Sequence, residues 1–399
     1  HRLQMVNDAQ THALPNSEEG MARIAAFLDC DLAVFESRLR DRLEEVHALT
    51  EDFFAPDARA ASKPSAATVG FDTEITNQWR GYPALRSTRA QEIFKRLMPG
   101  ILERLSHTAR PSEALLAFDR FLKGLPAGVQ LFSLFDANPQ LIDLLIDIVG
   151  SSPALSAHLA RNAGVFDAVI GGSFFAPWPQ IAALVSELTE VLGREPDYEK
   201  KLDMARKWAK EWHFRIGVHH LRGLIDAETS GREYAALAEA VLRGLWPVVV
   251  AQFASKHGAM PGRGAVVLGM GSLGAERLNA GSDLDLIVIY DAAGVEMSEG
   301  RRPLPARTYY ARLTQAMVTA VSALMPEGRL YEIDMRLRPS GTQGPVATSL
   351  VSFMDYQREH AWTWEHLALT RARAVAGSVE VAAEVEAFRQ DVLGKGHDR

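Results

Sequence analysis

The sequence predicts an α+β chain, a mainly helical bundle followed by a smaller unit with a mixed sheet. Two observations carry this. Through the first two thirds, apolar residues recur at three- and four-residue spacing, and strand alternation is absent there. After about residue 260 the texture changes to short, β-branched apolar runs, Ala265–Leu268 and Leu284–Tyr290 (LDLIVIY), and then to strict alternation over Leu330–Leu337. With 399 residues, two or three domains are expected, because domains commonly run to roughly 100–200 residues.

Ile24, Phe27, Leu28, Leu32, Phe35 and Leu39 give Ser17 to Phe54 a helical period. Ala55–Thr68 (APDARAASKPSAAT) is small, polar and proline-bearing, the composition of a linker. The segments at 92–107, 112–125, 129–150 and 152–170 are each amphipathic and punctuated by Gly or Pro, which predicts a bundle without a repeat signature. Helices are expected again at Asp197–Ile225, Glu233–Lys256 and Pro305–Met325, and three more after the PSGTQG turn. The expected units are residues 1–62 (helical segment and linker), 63–195 (central helical bundle) and 196–399 (α/β catalytic unit).

Composition narrows the function classes. Forty-seven per cent apolar residues, 23% charged and a mean hydropathy of −0.07 describe globular protein, and no uninterrupted apolar run approaches the roughly 20 residues of a membrane span. A formal charge of −7 argues against nonspecific adhesion to nucleic acid, which needs a basic excess. The lone Cys30 allows neither an internal disulfide nor a cysteine-based zinc cage, so a reducing, cytoplasmic setting is the simplest. The chain begins at His1, and a fragment of something longer is expected.

The chemistry is expected in AVVLGMGSLGAERLNAGSDLDLIVIYD. Asp283 and Asp285 stand two apart at a strand start, so a period of two puts both on one face. Two carboxylates that close repel each other unless a cation lies between them, and hard ions such as Mg²⁺ take oxygen ligands. An isolated D-x-D is more often a turn or cap. Here, however, Glu332, Asp334, Arg336 and Arg338 share the polar face of the alternating segment, and Asp334 could join the pair by strand pairing. Three acidic groups beside a Gly-rich turn are the apparatus of two-metal nucleotidyl transfer.

Gly269–Gly274 (GMGSLG) also matches G-x-G-x-x-G. Only nine residues separate Gly274 from Leu284, however, which leaves barely enough for the helix of a parallel crossover, so a dinucleotide fold is a minor alternative. The glycines are better read as letting backbone N–H groups approach a triphosphate. His213, His219 and His220 lack the spacing of a helical zinc motif and read as exposed or core histidines. Trp362, Trp364, Phe353 and Tyr356 read as the apolar side of the last helices. Arg371 and Arg373 read as surface charge or as contacts to phosphate or to a protein substrate.

At these residues the sequence resembles the glutamine synthetase adenylyltransferase family. The motifs are G-M-G-x-L-G-x-x-x-L-x-x-x-S-D-L-D-L-I at 269–287, Y-E-I-D-M-R-L-R-P-S-G at 331–341 and Y-Q-x-x-x-A-W-T-W-E-H-x-A-L-T-R-A-R at 356–373, with FRIGVHHLRG at 214–223 ahead of them. The resemblance covers at least residues 200–380 and implies a DNA polymerase β-like nucleotidyltransferase domain. Members carry two such domains, one removing AMP by phosphorolysis and one adding it. WTWEHLALTRAR is closer to the adding, C-terminal half than to the W-E-R-x-A-x-x-K-A-R form of the other.

The resemblance therefore implies Mg²⁺-dependent transfer of AMP from ATP to a tyrosine hydroxyl of glutamine synthetase, with glutamine as effector and a PII-type signal protein as partner. Phosphorolytic removal of AMP, or a non-catalytic module docking the PII-type protein, are the alternatives. By motif match Asp283 and Asp285 are the metal pair and Asp334 the third metal-binding, catalytic carboxylate. Gly271, Ser272, Ser282, Arg336 and Arg338 fall at nucleotide-contacting positions. Ser272 stands where the family commonly has Lys, so a lysine contact to the phosphates is not expected. By the same resemblance, members continue into a further helical region after the catalytic unit, which is expected to be absent from this chain.

Overall fold

The computed structural model describes residues 18–42, 71, 73–125, 127–161 and 173–394. The expected linker at Ala55–Thr68, the boundary near residue 62 and parts of the segments at 17–54 and 152–170 lie outside the described residues.

The described residues open with α1 (Glu18–Phe27), and residues 32–42 are also helical. A bundle follows, made of α2 (Thr73–Gln78), α3 (Thr88–Ser106), α4 (Pro111–Gly124), α5 (Val129–Ala137), α6 (Gln140–Ser151) and α7 (Pro153–Arg161). The single segment expected at 129–150 divides at Asn138-Pro139, because proline disfavours the α conformation in the residue before it. Apolar stripes converge on one core built around Trp79, Phe94, Phe118, Phe132 and Leu145.

Three long helices come next: α8 (Ile181–Gly193), α9 (Tyr198–Leu221) and α10 (Ala227–His257). Helix α8 lies outside the helices expected from the sequence, although Leu184, Leu188 and Leu192 recur at four-residue spacing and are buried. Asp197 and Asp226 cap α9 and α10, accepting from the amides of Lys200 (2.9 Å) and Thr229 (2.7 Å). By length and composition α10 is apolar enough to cross a bilayer, against the expectation from uninterrupted runs. However, 67% of its apolar window is buried inside the protein, as befits a core helix.

The sheet has five strands: β1 (Gly264–Gly269), β2 (Leu284–Asp291), β3 (Ile333–Asp334), β4 (Ala347–Ser349) and β5 (Arg373–Gly377). Its order is β3-β2-β1-β5, with β4 also pairing β2. β1 runs antiparallel to β2 and β5, whereas β3 and β4 run parallel to β2. Between β1 and β2 lies the one-turn helix α11 (Gly271–Gly274), and α12 (Ala306–Ser322) precedes β3. Helices α13 (Leu350–Glu359), α14 (Thr363–Leu369) and α15 (Val379–Gly394) complete the unit, matching the three expected after the turn.

Alternation assigns each strand residue to one of two cores. Val267, Leu284, Leu286 and Val288 pack with α8, α9, α10 and α12. Val266, Leu268, Ile287 and Ile289 face α13 and α15 through Phe353, Val385 and Phe388. The sheet is therefore covered on both faces. The antiparallel β1–β2 pair excludes the parallel crossover of a dinucleotide fold, which settles the lesser reading of Gly269–Gly274.

The alternating run Leu330–Leu337 forms a strand over only two residues. After Asp334 the chain turns, because the Arg336 amide donates to Asp334 Oδ1 at 2.8 Å, closing an Asx-type turn. Tyr331, Ile333 and Met335 still pack on the larger core, while Leu337 joins the opposite one.

Arg206, fully buried on α9, fastens this region. Its guanidinium donates to the carbonyls of Leu202, Ala320 and Gly328 at 2.8 Å and of Ala323 at 2.9 Å, joining α9 to the end of α12 and the turn before β3. Arg206→Met would leave four carbonyls short of a donor. The expected loss is about 3 kcal/mol, read as a lowered urea midpoint for unfolding, since bonds to charged groups contribute roughly 1.5–3 kcal/mol each and neighbouring ones do not add.

Candidate active site

β1 delivers the chain into Gly269–Gly274 at the end of the sheet where β2 starts. The Met270 amide donates to the Asp285 carbonyl at 2.8 Å, locking the turn against the carboxylate strand. Gly271 takes φ +52°, and a Cβ there would fall on Asp285 Oδ2, far inside van der Waals contact. Glycine is thus required both by conformation and by the closeness of the carboxylate. Gly274 has another reason to be small, since a Cβ there would meet the Arg371 carbonyl. Ser272 follows on the one-turn helix, whose first amides have no intrahelical acceptor.

Asp283 is exposed one residue before β2, and Asp285 is half-buried within it. The parallel register sets Asp334 directly beside Asp285 and Ile333 beside Leu284. Asp285 lies on the sheet face that carries Ile287 and Ile289 further along β2. Burial first, then repulsion from Asp283 and Asp334, pushes the Asp285 carboxyl above the ordinary carboxylate range, while Arg336 and Arg371 pull it back. Arg336 does the opposite for Asp334: its hydrogen bond, Nε to Oδ2 at 2.6 Å, holds that carboxyl below the usual range.

Both oxygens of Asp334 are thus engaged by Arg336. Among the described residues, no three His, Cys, Asp or Glu side chains are placed so as to hold a metal ion as they stand. The donor chemistry nevertheless suits Mg²⁺, which commonly takes one or two carboxylates together with phosphate and water oxygens. Asp283 and Asp285 offer two hard donors beside a turn where Gly271 lets the Asp285 carboxylate approach the backbone.

The other expected site residues fall into different places. Ser282 closes the approach to Asp283, its hydroxyl accepting from the Asn279 amide at 3.0 Å. Arg336, whose side chain is 75% exposed, faces the carboxylates. Arg338 holds the following loop, donating to the carbonyls of Met335 (2.7 Å) and Gly344 (3.3 Å). His213 and His219 are hydrogen-bonded to the carbonyls of Ala280 and Phe174 at 2.9 Å each, not gathered as metal ligands. Trp362 and Trp364 are exposed rather than packed, which corrects the reading of them as core, whereas Phe353 is buried as expected.

Sequence reasoning left open the roles of Arg371 and Arg373, and the structure separates them. Arg371 is exposed and close enough to Asp285 to lower its pKa. Arg373 turns inward to the buried Glu239 of α10, which also holds Arg243 at 2.5 Å, and reaches Glu276 at 3.4 Å behind the Gly-rich turn. The alternation of Arg, Ala and Arg could not show this, because the partner lies more than a hundred residues away.

A mixed sheet with a Gly-rich turn after its first strand, and with carboxylates on the next strand and its parallel neighbour, preceded by a helical region, defines a nucleotidyltransferase-type unit. The family profile for glutamate-ammonia ligase adenylyltransferase matches residues 142–388. The chain belongs to that family. It is 41% identical to the bifunctional glutamine synthetase adenylyltransferase/adenylyl-removing enzyme of Mesorhizobium japonicum, 39% to that of Brucella melitensis and 41% to that of Xanthobacter autotrophicus. Each similarity covers 100% of this chain and 43% of the relative, so the chain spans less than half the length of these relatives.

Proposed function

We propose that this chain transfers AMP from ATP to a tyrosine hydroxyl of glutamine synthetase, using Mg²⁺ seated on Asp283 and Asp285. The observation that carries the reading is the register of Asp285 with Asp334 beside the Gly271 turn. The relatives' names supply the protein substrate and the transferred group.

The tyrosine oxygen attacks the α-phosphorus, a P–O bond forms to it, and the bond to the bridging oxygen breaks to release pyrophosphate. Bound Mg²⁺ would supply charge neutralisation and polarisation of the phosphate oxygens. The Gly271 turn admits the phosphates, its unbonded first-turn amides meeting the anionic oxygens. Arg336 and Arg371 add positive charge on the open side of the carboxylates. Asp334, level with Asp285, takes the tyrosine proton once Arg336 turns from it toward phosphate. Arg338 and Ser282 shape the flanking loops that hold Asp334 and Asp283. Glutamine and a PII-type signal protein are the proposed effector and regulator, by resemblance to the family.

The test is incubation with Mg²⁺, α-labelled ATP and unmodified glutamine synthetase. Label on a tyrosine of the target is the expected result. Phosphate-dependent release of ADP from adenylylated glutamine synthetase, without forward transfer, would assign the chain to the removing activity instead. Capture of a PII-type protein with no nucleotide turnover would make it a docking module.

A further inference from the structure

The nine residues between the Gly-rich turn and β2 carry Asp283 at their end, and they lie against two long helices. Arg277 stands 3.7 Å from Glu228, and the Leu278 amide donates to the Gly231 carbonyl of α10 at 3.2 Å. The third tie is a side chain: His213 Nε2 of α9 lies 2.9 Å from the Ala280 carbonyl, three residues before Asp283. A carbonyl can only accept, so Nε2 carries the proton. Beyond it, Ser282 and Asn279 close a turn on each other, the Asn279 amide donating to Ser282 Oγ and the Ser282 amide to the Asn279 carbonyl at 3.1 Å. Asp283 therefore hangs from a short turn whose middle is pinned by His213.

The pin itself is packed against α10. The His213 ring packs 4.7 Å from the Tyr234 ring of α10. Burial lowers its pKa, consistent with a neutral ring protonated at Nε2. The next residue, Phe214, belongs with Val218 to the bundle core, whereas Ala205, Trp208, Ala209 and Ile216 of the same helix belong to the core beneath the sheet. One helix is thus built into both cores and also bonded to the loop of Asp283.

We infer that His213 is a positioning residue for Asp283, holding the 275–283 loop through the Ala280 carbonyl and tying the placement of that carboxylate to α9. The consequence for turnover rests on the proposed function, whereas the consequence for loop order does not. Asp283 itself is exposed, so its placement depends on how the backbone of this loop is held.

The experiment compares the parent chain with His213→Ala and His213→Gln, whose side-chain amide can donate in place of Nε2. Hydrogen–deuterium exchange of the peptide covering 276–283 is read first, without nucleotide or metal. At least tenfold faster exchange is expected in His213→Ala and near-parental exchange in His213→Gln. In the transfer assay His213→Ala is expected to lose at least tenfold in kcat with KM for ATP changed less than threefold, and His213→Gln to recover most of it. If His213→Ala does not fold, His213→Leu keeps the packing on Tyr234, removes the donor and carries the same expectations. Unchanged exchange in the donor-less variant, or a Gln variant no better than Ala, overturns the inference. Altered exchange in a chain that transfers no label supports the positioning role and counts against the proposed function alone.

Discussion

Asp285→Asn is expected to reduce AMP transfer to glutamine synthetase by at least a thousandfold while leaving the chain as stable as the parent or more so. The first part follows from removing a charged donor at the centre of the site, between Asp283 and Asp334, where transition-state charge must be balanced. The second follows from the surroundings of Asp285, whose partial burial, and then the like charges of Asp283 and Asp334, hold its carboxyl above the ordinary range. An amide of the same shape removes that repulsion, so the thermal midpoint in the absence of divalent cation should stay level or rise, as at other sites where function is kept at a cost in stability. A variant that loses transfer only because it melts at much lower temperature would show that Asp285 supports the fold instead of the chemistry.

Gly271→Ala has the second largest expected effect. The added methyl would collide with Asp285 Oδ2 and would sit on a backbone with φ +52°. About 1–2 kcal/mol of stability should be lost to conformation, and more if the carboxylate is held in place. Turnover should fall by at least a hundredfold, because relief requires moving the Asp285 side chain or the turn proposed to admit the phosphates. Gly281→Ala is the matched control: it lies in the adjacent loop, and nothing stands within 4 Å of where its Cβ would be. Its expected change is under about 0.5 kcal/mol in a urea melt, with turnover close to parental. Equal losses in the two variants would remove the argument for a close-packed phosphate turn.

The strands with the strongest local pattern, β1 and β2, were legible because both are buried on two faces and read as nearly continuous apolar runs. β4 and β5 were not. Ala347–Ser349 is three residues long, and Arg373–Gly377 holds two small alanines with an arginine whose partner, Glu239, is remote in sequence. Both are strands because β1 and β2 offer edges to pair with, a tertiary cause that no local pattern records. Alternation in Leu330–Leu337 correctly placed Asp334 on the polar side. It could not show that the Arg336 amide would end the strand by turning back on that carboxylate.

At the site, spacing alone joined Asp283 to Asp285, alternation and expected strand pairing brought in Asp334, and the resemblance to a family gave it a role. The ion pair that occupies Asp334 was hidden, because Arg336 lies two residues away on a segment that alternation alone would keep extended. The role of His213 was also hidden. A histidine on a helix signals nothing until the loop of Asp283 is folded against it.

Under the proposed function, Asp283 and Asp285 seat a divalent ion beside the Gly271 turn, with Asp334 released to the acceptor. A crystal grown with Mn²⁺ and α,β-methylene ATP, and measured for anomalous scattering, reads this directly. The expected result is a manganese peak bound by carboxylate oxygens of Asp283 and Asp285 at close to the roughly 2.0–2.1 Å of Mg²⁺–oxygen ligation, phosphate oxygens completing its shell, and Arg336 turned from Asp334 toward the nucleotide. A nucleotide bound with its metal elsewhere, or with Asp334 still locked to Arg336, would contradict it.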